Sequence, residues 1–445
     1  MKRVSGIILL ALLSLLGQAA LGKSKPNLLI VVADDLGWAD LGYHGSKIPT
    51  PNLDKLCRNG VELDAHYVAP MCTPTRTALL TGRYWSRFGN TTAQNEQVLP
   101  FGTVTIASAF QDSGYATFIS GKWHLGSLKK WGPLQFGFQN SHGSLAGGVN
   151  PWNHLYKPGH YSVTWHRNDK LIKQEGHVTD LITEETVRFI EKKREEPFFI
   201  YVPFTAPHIP IDEPQKWLNR CKHILEERRQ YAACVTHLDH SVGKIIETID
   251  RIDQREQTIF LFFSDNGGHL NANPKSRYPK TVEKARKVGL NTPLRGQKGQ
   301  VYEGGIRTPA FINWPDKLKP TKITSPLHVS DWMPTLCKLI GYKPEQELNW
   351  DGQDIWPILS GNSKTPQSRV LYTKGPGGRS TALREGEWKL IRHGSGEKSK
   401  FELFNIIKDP NEKKDLARAK PKIVERLHEM MLQESMLDND SIPSP

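Results

Sequence analysis

Long hydrophobic runs are almost absent from this sequence of 445 residues. The one long run, GIILLALLSLLGQAALG, follows Lys2 and Arg3 and is shorter than the ~20 apolar residues that a membrane-spanning helix needs. A basic start, an apolar core and an end in small residues are typical of a secretory signal peptide, which we assign to residues 1–22. No cysteine follows the apolar core, so a lipoprotein anchor is not expected. The sequence therefore predicts an exported protein, periplasmic or secreted, without a stable membrane anchor.

Cysteine is scarce, and neither an internal repeat nor a low-complexity segment is present. Five cysteines in 445 residues exclude a small scaffold built on disulfides. If Cys72 has a chemical role, four remain, and the sequence does not decide whether they pair: Cys57, Cys221, Cys234 and Cys337. The length exceeds what one hydrophobic core usually supports, so two domains are expected.

Acidic residues are outnumbered, with 46 Asp and Glu against 59 Lys and Arg and a formal net charge of +13. Such a balance suits nucleic acid, an anionic membrane or a polyanionic glycan as partner. Export, together with the motif around Cys72 described below, favours the glycan, and no nucleic acid partner is expected. The segment from Asn271 to Leu290 contains six basic residues against the single acid Glu283. It is a candidate substrate-binding loop, although a solvated basic loop accounts for it equally well.

Four apolar runs of strand length each stop at a cluster of polar residues. The runs are NLLIVV (27–32), YATFIS (115–120), FFIYVPF (198–204) and IFLFF (259–263). They are typical of buried parallel strands, whose carboxyl ends carry the functional site in open α/β sheets. The polar residues that follow them are Asp34 and Asp35, Lys122 and His124, His208, and Asp265 and Asn266. We therefore predict an α/β fold in which these side chains meet at one edge of a sheet.

Asp34, Asp35, Asp265 and Asn266 offer only oxygen ligands. Carboxylate and amide oxygens favour calcium or magnesium over zinc. A cation at this edge would lower the pKa of an attacking hydroxyl and polarise an oxygen of the substrate. Two-metal phosphatases need a second set of carboxylate and histidine ligands, and no such set follows the four runs.

The stretch Cys72-Thr73-Pro74-Thr75-Arg76, followed by Leu80-Thr81-Gly82-Arg83, is the most informative in the chain. It resembles the signature of the type I sulfatases, in which the cysteine is oxidised to formylglycine. The resemblance implies that Cys72 is the precursor of formylglycine (3-oxoalanine) and that a formylglycine-generating maturation enzyme is a partner. One hydroxyl of the aldehyde hydrate attacks sulfur, and the second then expels sulfate. Thr75 stands where the family most often has serine or alanine, and we expect maturation to tolerate it.

The resemblance also implies roles for the residues at matching positions. One calcium ion would be bound by Asp34, Asp35, Asp265 and Asn266, with an oxygen of the modified Cys72 completing its shell.

The remaining matched positions would handle sulfate and protons. Lys122, Lys298 and His208 would bind the sulfate, and Lys298 lies in LRGQKG ahead of Glu303. His124 would take a proton from the formylglycine hydrate, while Arg76 suits a fixed cation that orients it. Protonation of the leaving oxygen falls to His208 or Lys298, and the sequence does not choose. Further candidate substrate contacts, from composition and location alone, are His269, His142 and His160.

The resemblance covers nearly the whole chain after residue 22. ADDLGWADLGYHGSKIPTPNLDKL and GVELDAHYVAPMCTPTRTALLTGRY look most like the arylsulfatase B (N-acetylgalactosamine-4-sulfatase) branch and related bacterial polysaccharide sulfatases. This implies an alkaline phosphatase-like fold: a large mixed, mostly parallel sheet flanked by helices in residues 23–365. A small antiparallel sheet with a helix is expected in residues 366–445. Alternating strands are predicted over 370–373, 380–383, 388–392 and 401–405, and a helix over 423–432.

The function expected from these observations is hydrolysis of sulfate esters on a glycan, of the galactose or N-acetylgalactosamine 4-sulfate type. Two alternatives stay open. A formylglycine-dependent phosphodiesterase or phosphonate hydrolase would share Cys72, and a non-catalytic glycan-binding relative would result if Cys72 is never oxidised. The oligomeric state is not encoded in any pattern of the sequence.

A second group of residues mimics metal-ligand spacing on a helix. His237, Asp239 and His240 fall off the apolar stripe that runs from Tyr231 to Ile249. Solvated or capping roles are therefore favoured over a second metal site. Cys234 lies on the stripe and is predicted to be in the core.

Overall fold

The computed structural model describes residues 25–271, 288–363 and 369–442. The predicted signal peptide, most of the basic segment 271–290 and the predicted domain boundary at 365 lie outside these ranges. No helix within them is long and apolar enough to cross a membrane.

Sixteen strands are described, and ten of them form one large sheet. In chain order the strands are β1 Asn27–Ala33, β2 Val61–Leu63, β3 His66–Tyr67, β4 Ala116–Lys122, β5 Asn140–Ser144, β6 Trp165–Arg167, β7 Lys170–Leu171, β8 Phe198–Pro203, β9 Thr258–Ser264, β10 Ala310–Asn313, β11 Thr321–Ile323, β12 Leu327–His328, β13 Val370–Lys374, β14 Ser380–Glu385, β15 Trp388–His393 and β16 Lys400–Asn405. The large sheet has the order β11-β2-β10-β9-β1-β8-β4-β5-β6-β7. Its five central strands, β9 to β5, are parallel, which confirms the predicted mixed, mostly parallel sheet.

Helices cover both faces of this sheet. The α-helices are α1 Pro51–Arg58, α2 Cys72–Thr81, α3 Ile106–Asp112, α4 Val178–Glu191, α5 Gln215–Arg220, α6 Glu226–Arg251, α7 Glu303–Ile306, α8 Trp332–Ile340, α9 Trp356–Leu359 and α10 Pro421–Met436. Successive side chains of a strand point to opposite faces. Ile30 of β1 therefore packs with α2, α3 and α8, while its neighbour Val31 packs with α1, α4 and α6. Both faces are buried, which explains why β1 is an unbroken apolar run.

A small antiparallel meander follows the large sheet, with the order β13-β14-β15-β16. Helix α10 buries Leu427 and Met431 against Leu383, Leu390 and Leu403 of these strands. The four strands and the helix were each predicted, and the structure confirms them within two or three residues at their ends, except that α10 continues to Met436. The division into two domains at residue 365 stays a prediction.

All five cysteines are buried and free. Cys234 is in the core as predicted. Asp239 accepts hydrogen bonds from the backbone N–H groups of Asn52 and Leu53, so it caps the start of α1. His237 is not solvated: it is fully buried under Trp217, so the expectation of a solvated or capping role is wrong for this residue.

A buried ion network joins the small sheet to the turn before β10. Lys389 Nζ lies 2.8 Å from Glu303 and 2.9 Å from Glu412, and all three side chains are buried. Tyr67 also donates a hydrogen bond of 2.7 Å to Glu303. Burial and the neighbouring Glu303 raise the pKa of Glu412 to about 7, whereas Lys389 is the cation that both carboxylates share. One lysine therefore links the C-terminal sheet to the segment that contains Lys298.

Replacing Lys389 by methionine should destabilise the fold by about 3–5 kcal/mol, because two buried acids lose their shared cation. Thermal or urea unfolding of Lys389→Met measures this. Lys400→Met, at an exposed lysine of the same sheet, is the control and should change stability by less than about 0.5 kcal/mol. Equal stability of the two variants would contradict a structural role for the network.

Candidate active site

The four predicted strand ends meet at one edge of the large sheet. Strands β9, β1, β8 and β4 are consecutive neighbours: β1 is paired with β9 up to Ala33 and with β8 up to Val32, and β4 is paired with β8 as far as Ile119. Beyond them, the N–H of Asp34 donates to Ala206 O and the N–H of Asp265 donates to Ala33 O, each at 3.0 Å. Parallel pairing therefore delivers the polar residues after each strand to the same place, as predicted.

Cys72 faces these strand ends from the first turn of α2, with only 2% of its surface exposed. Its Sγ lies 3.3 Å from His124 Nδ1. The Thr75 hydroxyl accepts from Ala69 N–H at 3.0 Å, which ties down the turn before Cys72. Threonine thus fits this position because its hydroxyl is used locally. Burial raises the pKa of the Cys72 thiol, so the unmodified residue is not an activated thiolate.

Three carboxylates and an amide lie buried around Cys72. The ligand atoms of Asp34, Cys72 and Asp265 are within 4.8 Å of one another. Asp34 Oδ1 and Asn266 Oδ1 are buried without a hydrogen-bond partner. Burial and the neighbouring Asp265 carboxylate raise the pKa of Asp34 to about 7. Unpaired buried oxygens are costly in a folded protein, and this set of hard oxygen donors fits a calcium or magnesium ion.

Three fixed cations face the carboxylates. Lys122 Nζ lies 2.5 Å from Asp34 Oδ2, and Lys298 Nζ lies 2.7 Å from Asp35 Oδ1. Arg76 donates to Asp265 Oδ2 at 2.8 Å and to the Lys122 carbonyl at 2.7 Å. Burial opposes the charge on Lys298, but Asp35 raises its pKa above the ordinary value, so the ammonium persists. The guanidinium of Arg76 thus holds Asp265 and the end of β4 in place.

The backbone is left-handed at two residues of the site. Asp35 has φ 65° and His124 has φ 59°. Strand β4 ends at Lys122, so Lys122 and His124 do not share a strand face, and the turn at His124 carries its ring to Cys72 instead. Non-glycine residues adopt this conformation at a cost and are common where a site must be positioned.

Both histidines are neutral in this environment. Burial, together with Lys122 and Arg76, keeps the pKa of His124 well below its usual range. Burial and Lys298 do the same to the pKa of His208. His208 Nδ1 donates to the Ile209 carbonyl, because a carbonyl can only accept. Its Nε2 therefore carries a lone pair and faces Asp35 at 3.7 Å.

Comparison with known proteins agrees with this geometry. A family profile described as "Sulfatase" matches residues 26–342, and one described as "N-sulphoglucosamine sulphohydrolase, C-terminal" matches residues 297–437. The chain belongs to the sulfatase family. It is a sulfuric ester hydrolase with the alkaline phosphatase-like fold.

Three relatives illustrate the extent of the likeness. Arylsulfatase J of Mus musculus is 31% identical over 466 residues, covering 91% of this chain and 75% of that protein. N-acetylgalactosamine-6-sulfatase of Canis lupus familiaris is 30% identical over 400 residues, covering 83% of this chain and 73% of that protein. The crystal structure of Ps i-CgsB in complex with k-i-k-neocarrahexaose is 30% identical, covers 94% of each chain and has a TM-score of 0.84.

The three other histidines that were predicted to contact the substrate lie in different parts of this sulfatase. His142 is buried on β5 and is bonded to Gln174 at 2.7 Å and Ser120 at 3.3 Å, so it belongs to the packing of the sheet. His160 is exposed and packs on Tyr161. His269 follows the DNGG turn, and its Nδ1 is buried without a hydrogen-bond partner. Only His269 among these three lies next in sequence to the carboxylate cluster.

Sequence reasoning missed two residues that position this sulfatase site. Tyr201, on β8, places its hydroxyl 3.5 Å from Arg76. Gly147 packs directly against the ring of His124, where a Cβ atom would lie 2.2 Å from Nε2. Tyr201 is an ordinary member of an apolar strand, and Gly147 is one of 37 glycines, so neither has a signal in the sequence.

Adding a methyl group at Gly147 should displace the His124 ring from Cys72. We expect Gly147→Ala to lower kcat about tenfold or more, since small displacements of a reacting group are costly. Steady-state kinetics with a small aryl sulfate measures the effect, and circular dichroism verifies the fold. Gly45→Ala is the control for backbone strain alone: a Cβ there meets no atom within 4 Å, but φ is 89°, so this variant should lose some stability and keep its kcat. Full activity of Gly147→Ala would contradict the role of this contact.

Proposed function

We propose that this sulfatase hydrolyses sulfate esters of a galacto-configured glycan, with formylglycine made from Cys72 as nucleophile and one calcium ion. The observation that carries the proposal is the position of Cys72, whose Sγ lies 3.3 Å from His124 and beside the buried carboxylates. The sulfur marks where the reactive oxygen atoms of formylglycine would be. A formylglycine-generating enzyme is the maturation partner this requires.

The calcium ion would be held by Asp34, Asp35, Asp265 and Asn266. All four side chains are buried, and two of their oxygens, Asp34 Oδ1 and Asn266 Oδ1, accept no hydrogen bond. Bound there, the cation supplies Lewis-acid stabilisation of negative charge on the hydroxyl and the sulfate. Formylglycine supplies a hydrated aldehyde, whose second hydroxyl allows release of sulfate without a second attack on sulfur.

The chain's own residues would bind the sulfate and handle protons. Lys122 is bonded to one oxygen of Asp34, and Lys298 lies within 2.8 Å of both oxygens of Asp35. An ammonium has three N–H groups, so each lysine keeps at least one donor for sulfate oxygens. His124 Nδ1 points at position 72 and can accept a proton there while its ring is neutral. His208 Nε2 has to gain a proton before it can donate one to a leaving oxygen. Lys298 is the alternative donor.

The charge balance of the site favours sulfate over phosphate. Three carboxylates, on Asp34, Asp35 and Asp265, face three cations, on Lys122, Lys298 and Arg76. One divalent ion would leave an excess of two positive charges, which would balance the deprotonated attacking hydroxyl and the single negative charge of a sulfate monoester. A phosphate dianion in the same place would leave one negative charge unbalanced. The lysines also occupy the carboxylates that a second metal would need, which argues against a two-metal phosphatase.

The glycan is inferred from the names of relatives and from charge. One relative is named for N-acetylgalactosamine 6-sulfate chemistry, and one solved structure contains a neocarrahexaose. The net charge of +13 suits an anionic polymer. The sulfate position is instead taken from the resemblance of the sequence to the arylsulfatase B branch, for which we favour galactose or N-acetylgalactosamine 4-sulfate as the unit, acted on in the periplasm or outside the cell.

Protein co-expressed with a formylglycine-generating enzyme should release sulfate from 4-sulfated galacto-type glycans, and Cys72→Ala should release none while it still folds. Ion chromatography of the released anions, over 4- and 6-sulfated galacto-type glycans, gluco-type glycans and a phosphodiester, measures this. Thermal unfolding of Cys72→Ala verifies the fold. Turnover by that variant would refute the nucleophile, and release from 6-sulfated units alone would refute the 4-sulfate assignment.

The same experiment separates the two alternatives. Cleavage of the phosphodiester without sulfate release would identify a phosphodiesterase or phosphonate hydrolase. Mass spectrometry that finds only unmodified Cys72 in protein from its native host would instead support the non-catalytic glycan-binding relative.

Calcium should stabilise the folded protein by about 2.7 kcal/mol at a free concentration 100-fold above Kd, because the unfolded chain lacks the site. Thermal unfolding with calcium or a chelator measures the shift. Asp34→Asn should abolish it, whereas Asp112→Asn, at an exposed acid, should retain it. A larger shift with zinc than with calcium would count against the oxygen-ligand site.

A further inference from the structure

A second cluster of buried titratable groups lies behind His208, on the same side of the sheet as α4 and α6. His237 is at its centre, and its side chain is fully buried. Its Nδ1 lies 2.8 Å from Glu213 Oε2, and its Nε2 lies 3.0 Å from Asp180 Oδ1. The proposed reaction uses none of these three residues.

Two carboxylates at hydrogen-bond distance determine the protonation of His237. An ionised carboxylate only accepts hydrogen bonds, so both ring nitrogens have to donate, and only the imidazolium ring has two N–H groups. Burial opposes this charge, but the bonds to Asp180 and Glu213 raise the pKa of His237 above its ordinary value. Despite the cost of burial, His237 lowers the pKa of Asp180 to about 2.

A metal ion is the competing explanation, since ligand atoms of His177, Glu213 and His237 lie within 4.8 Å of one another. The ring orientations argue against it. His177 Nδ1 accepts the N–H of Thr179 at the start of α4, so the neutral ring carries its proton on Nε2, 3.6 Å from Glu213 Oε1. The rings of His177 and His237 face each other at 4.9 Å and 33°, and Trp217 stacks on His237 at 4.5 Å. Lone pairs in the planes of facing rings do not converge on one ion.

Glu213 connects this cluster to the candidate active site. It ends the segment 205–213, which follows β8 and contains His208. His177 and Glu213 line the same small cavity as Thr205 and His208. The neighbouring Trp152 packs edge-on against His177, and its indole N–H donates to Asp212 O at 3.2 Å. The His237 bond to Glu213 thus anchors the far end of the His208 segment to α6, together with the bond of 3.0 Å from the Glu213 N–H to Gln230 Oε1.

We propose that His237, held as an imidazolium between Asp180 and Glu213, is a positioning residue that keeps His208 directed at the sulfate site. The inference rests on the proposed function only for the role of His208. Helix α6 packs against α1, α4 and α5, so the ion pair ties segment 205–213 to an element that is held on several sides. Loss of the charge would leave Glu213 buried without its cation and free the segment to shift.

The charge of His237 depends on groups from four elements. They are Asp180 and His177 from α4 and its N-cap, Glu213 from the His208 segment, Lys216 from α5, and Cys234 and His240 from α6 itself. The two acids have the largest effect because both are hydrogen-bonded directly to the His237 ring. Because the folded pKa of His237 is raised, its stabilisation is complete below the ordinary pKa of 6.5 and is lost as pH rises through the raised value.

Histidine-selective ¹³C NMR of the intact matured protein tests the proposal without reference to turnover. The His237 ring should remain protonated above pH 6.5, and the His208 signal should shift in His237→Gln. His240→Gln is the matched control, three residues along the same helix and partly exposed, and should leave His208 unchanged. A His237 ring that is neutral at pH 6, or stoichiometric zinc found by elemental analysis, would overturn the proposal.

Steady-state kinetics of the same variants is a second test of the proposal. His237→Gln should lower kcat about 10-fold to 100-fold with little change in KM, and its pH profile should lack the decline at high pH that we expect of the wild type. His240→Gln should match the wild type. Unaltered kcat and pH profile in His237→Gln would refute the positioning role. If the wild type has no sulfatase activity, the proposed function fails, while the NMR signals of His237 and His208 still decide this inference.

Where His237→Gln fails to fold, Glu213→Gln keeps the shape of the contact and removes one charge. It should lower the NMR pKa of His237 and shift the His208 signal. An unchanged His208 signal in Glu213→Gln would overturn the proposal.

Discussion

Buried charge balance at one edge of the large sheet is the constraint on which the rest of the structure depends. Three carboxylates lie within one pocket, and an unpaired charge there would cost several kcal/mol. Lys122, Lys298 and Arg76 each pair with a different carboxylate. These cations come from a strand end, a loop and a helix, so the pairing holds three separate elements in register. The parts of the chain that surround the pocket are organised to keep these groups in place.

The C-terminal sheet contributes to that organisation although it supplies no group to the site. The segment between Lys298 and β10 packs Val301 against Ala382, Ile391 and Phe404. It also places Glu303 on Lys389 and donates the N–H of Gly299 to Pro70 O at 2.7 Å, two residues before Cys72. Lys298 is therefore fixed between the small sheet on one side and the Cys72 turn on the other. The small sheet therefore helps to fix the position of Lys298 in this protein.

Segment 205–213, which follows β8 and contains His208, is held in place by a different buried ion pair. Segment 205–213 buries Ala206 and Ile211 in the core, but its backbone is hydrogen-bonded to β1 and the residue after it only at its start. A buried ion pair at its far end, between Glu213 and His237, supplies a directional constraint that apolar packing does not. The preceding network at Lys389 acts in the same way on the Lys298 segment. Both networks place costly buried charges where position matters more than stability.

Local pattern alone determined the strands, the order of the polar clusters and the family. The runs at 27–32 and 259–263 are unbroken because both faces of a parallel strand are buried, and the polar residues after them mark its carboxyl end. The residue types that follow the strands, carboxylates and an amide, also predicted a cation site made of oxygen ligands. The strands of the small sheet could also be predicted, because strands exposed on one face alternate between apolar and polar residues.

Tertiary structure alone decided how those residues pair and which of them stay buried. The contact of Gly147 with His124 and the burial of His237 between acids 57 and 24 residues away depend on which elements pack together. A histidine that lies off the apolar stripe of a helix is predicted to be solvated, because the stripe identifies only positions with apolar neighbours. The partners of His237 are instead two carboxylates that are distant in the sequence. Periodicity records the faces of single elements. Long-range ion pairs are made between elements, so no window of the sequence contains them.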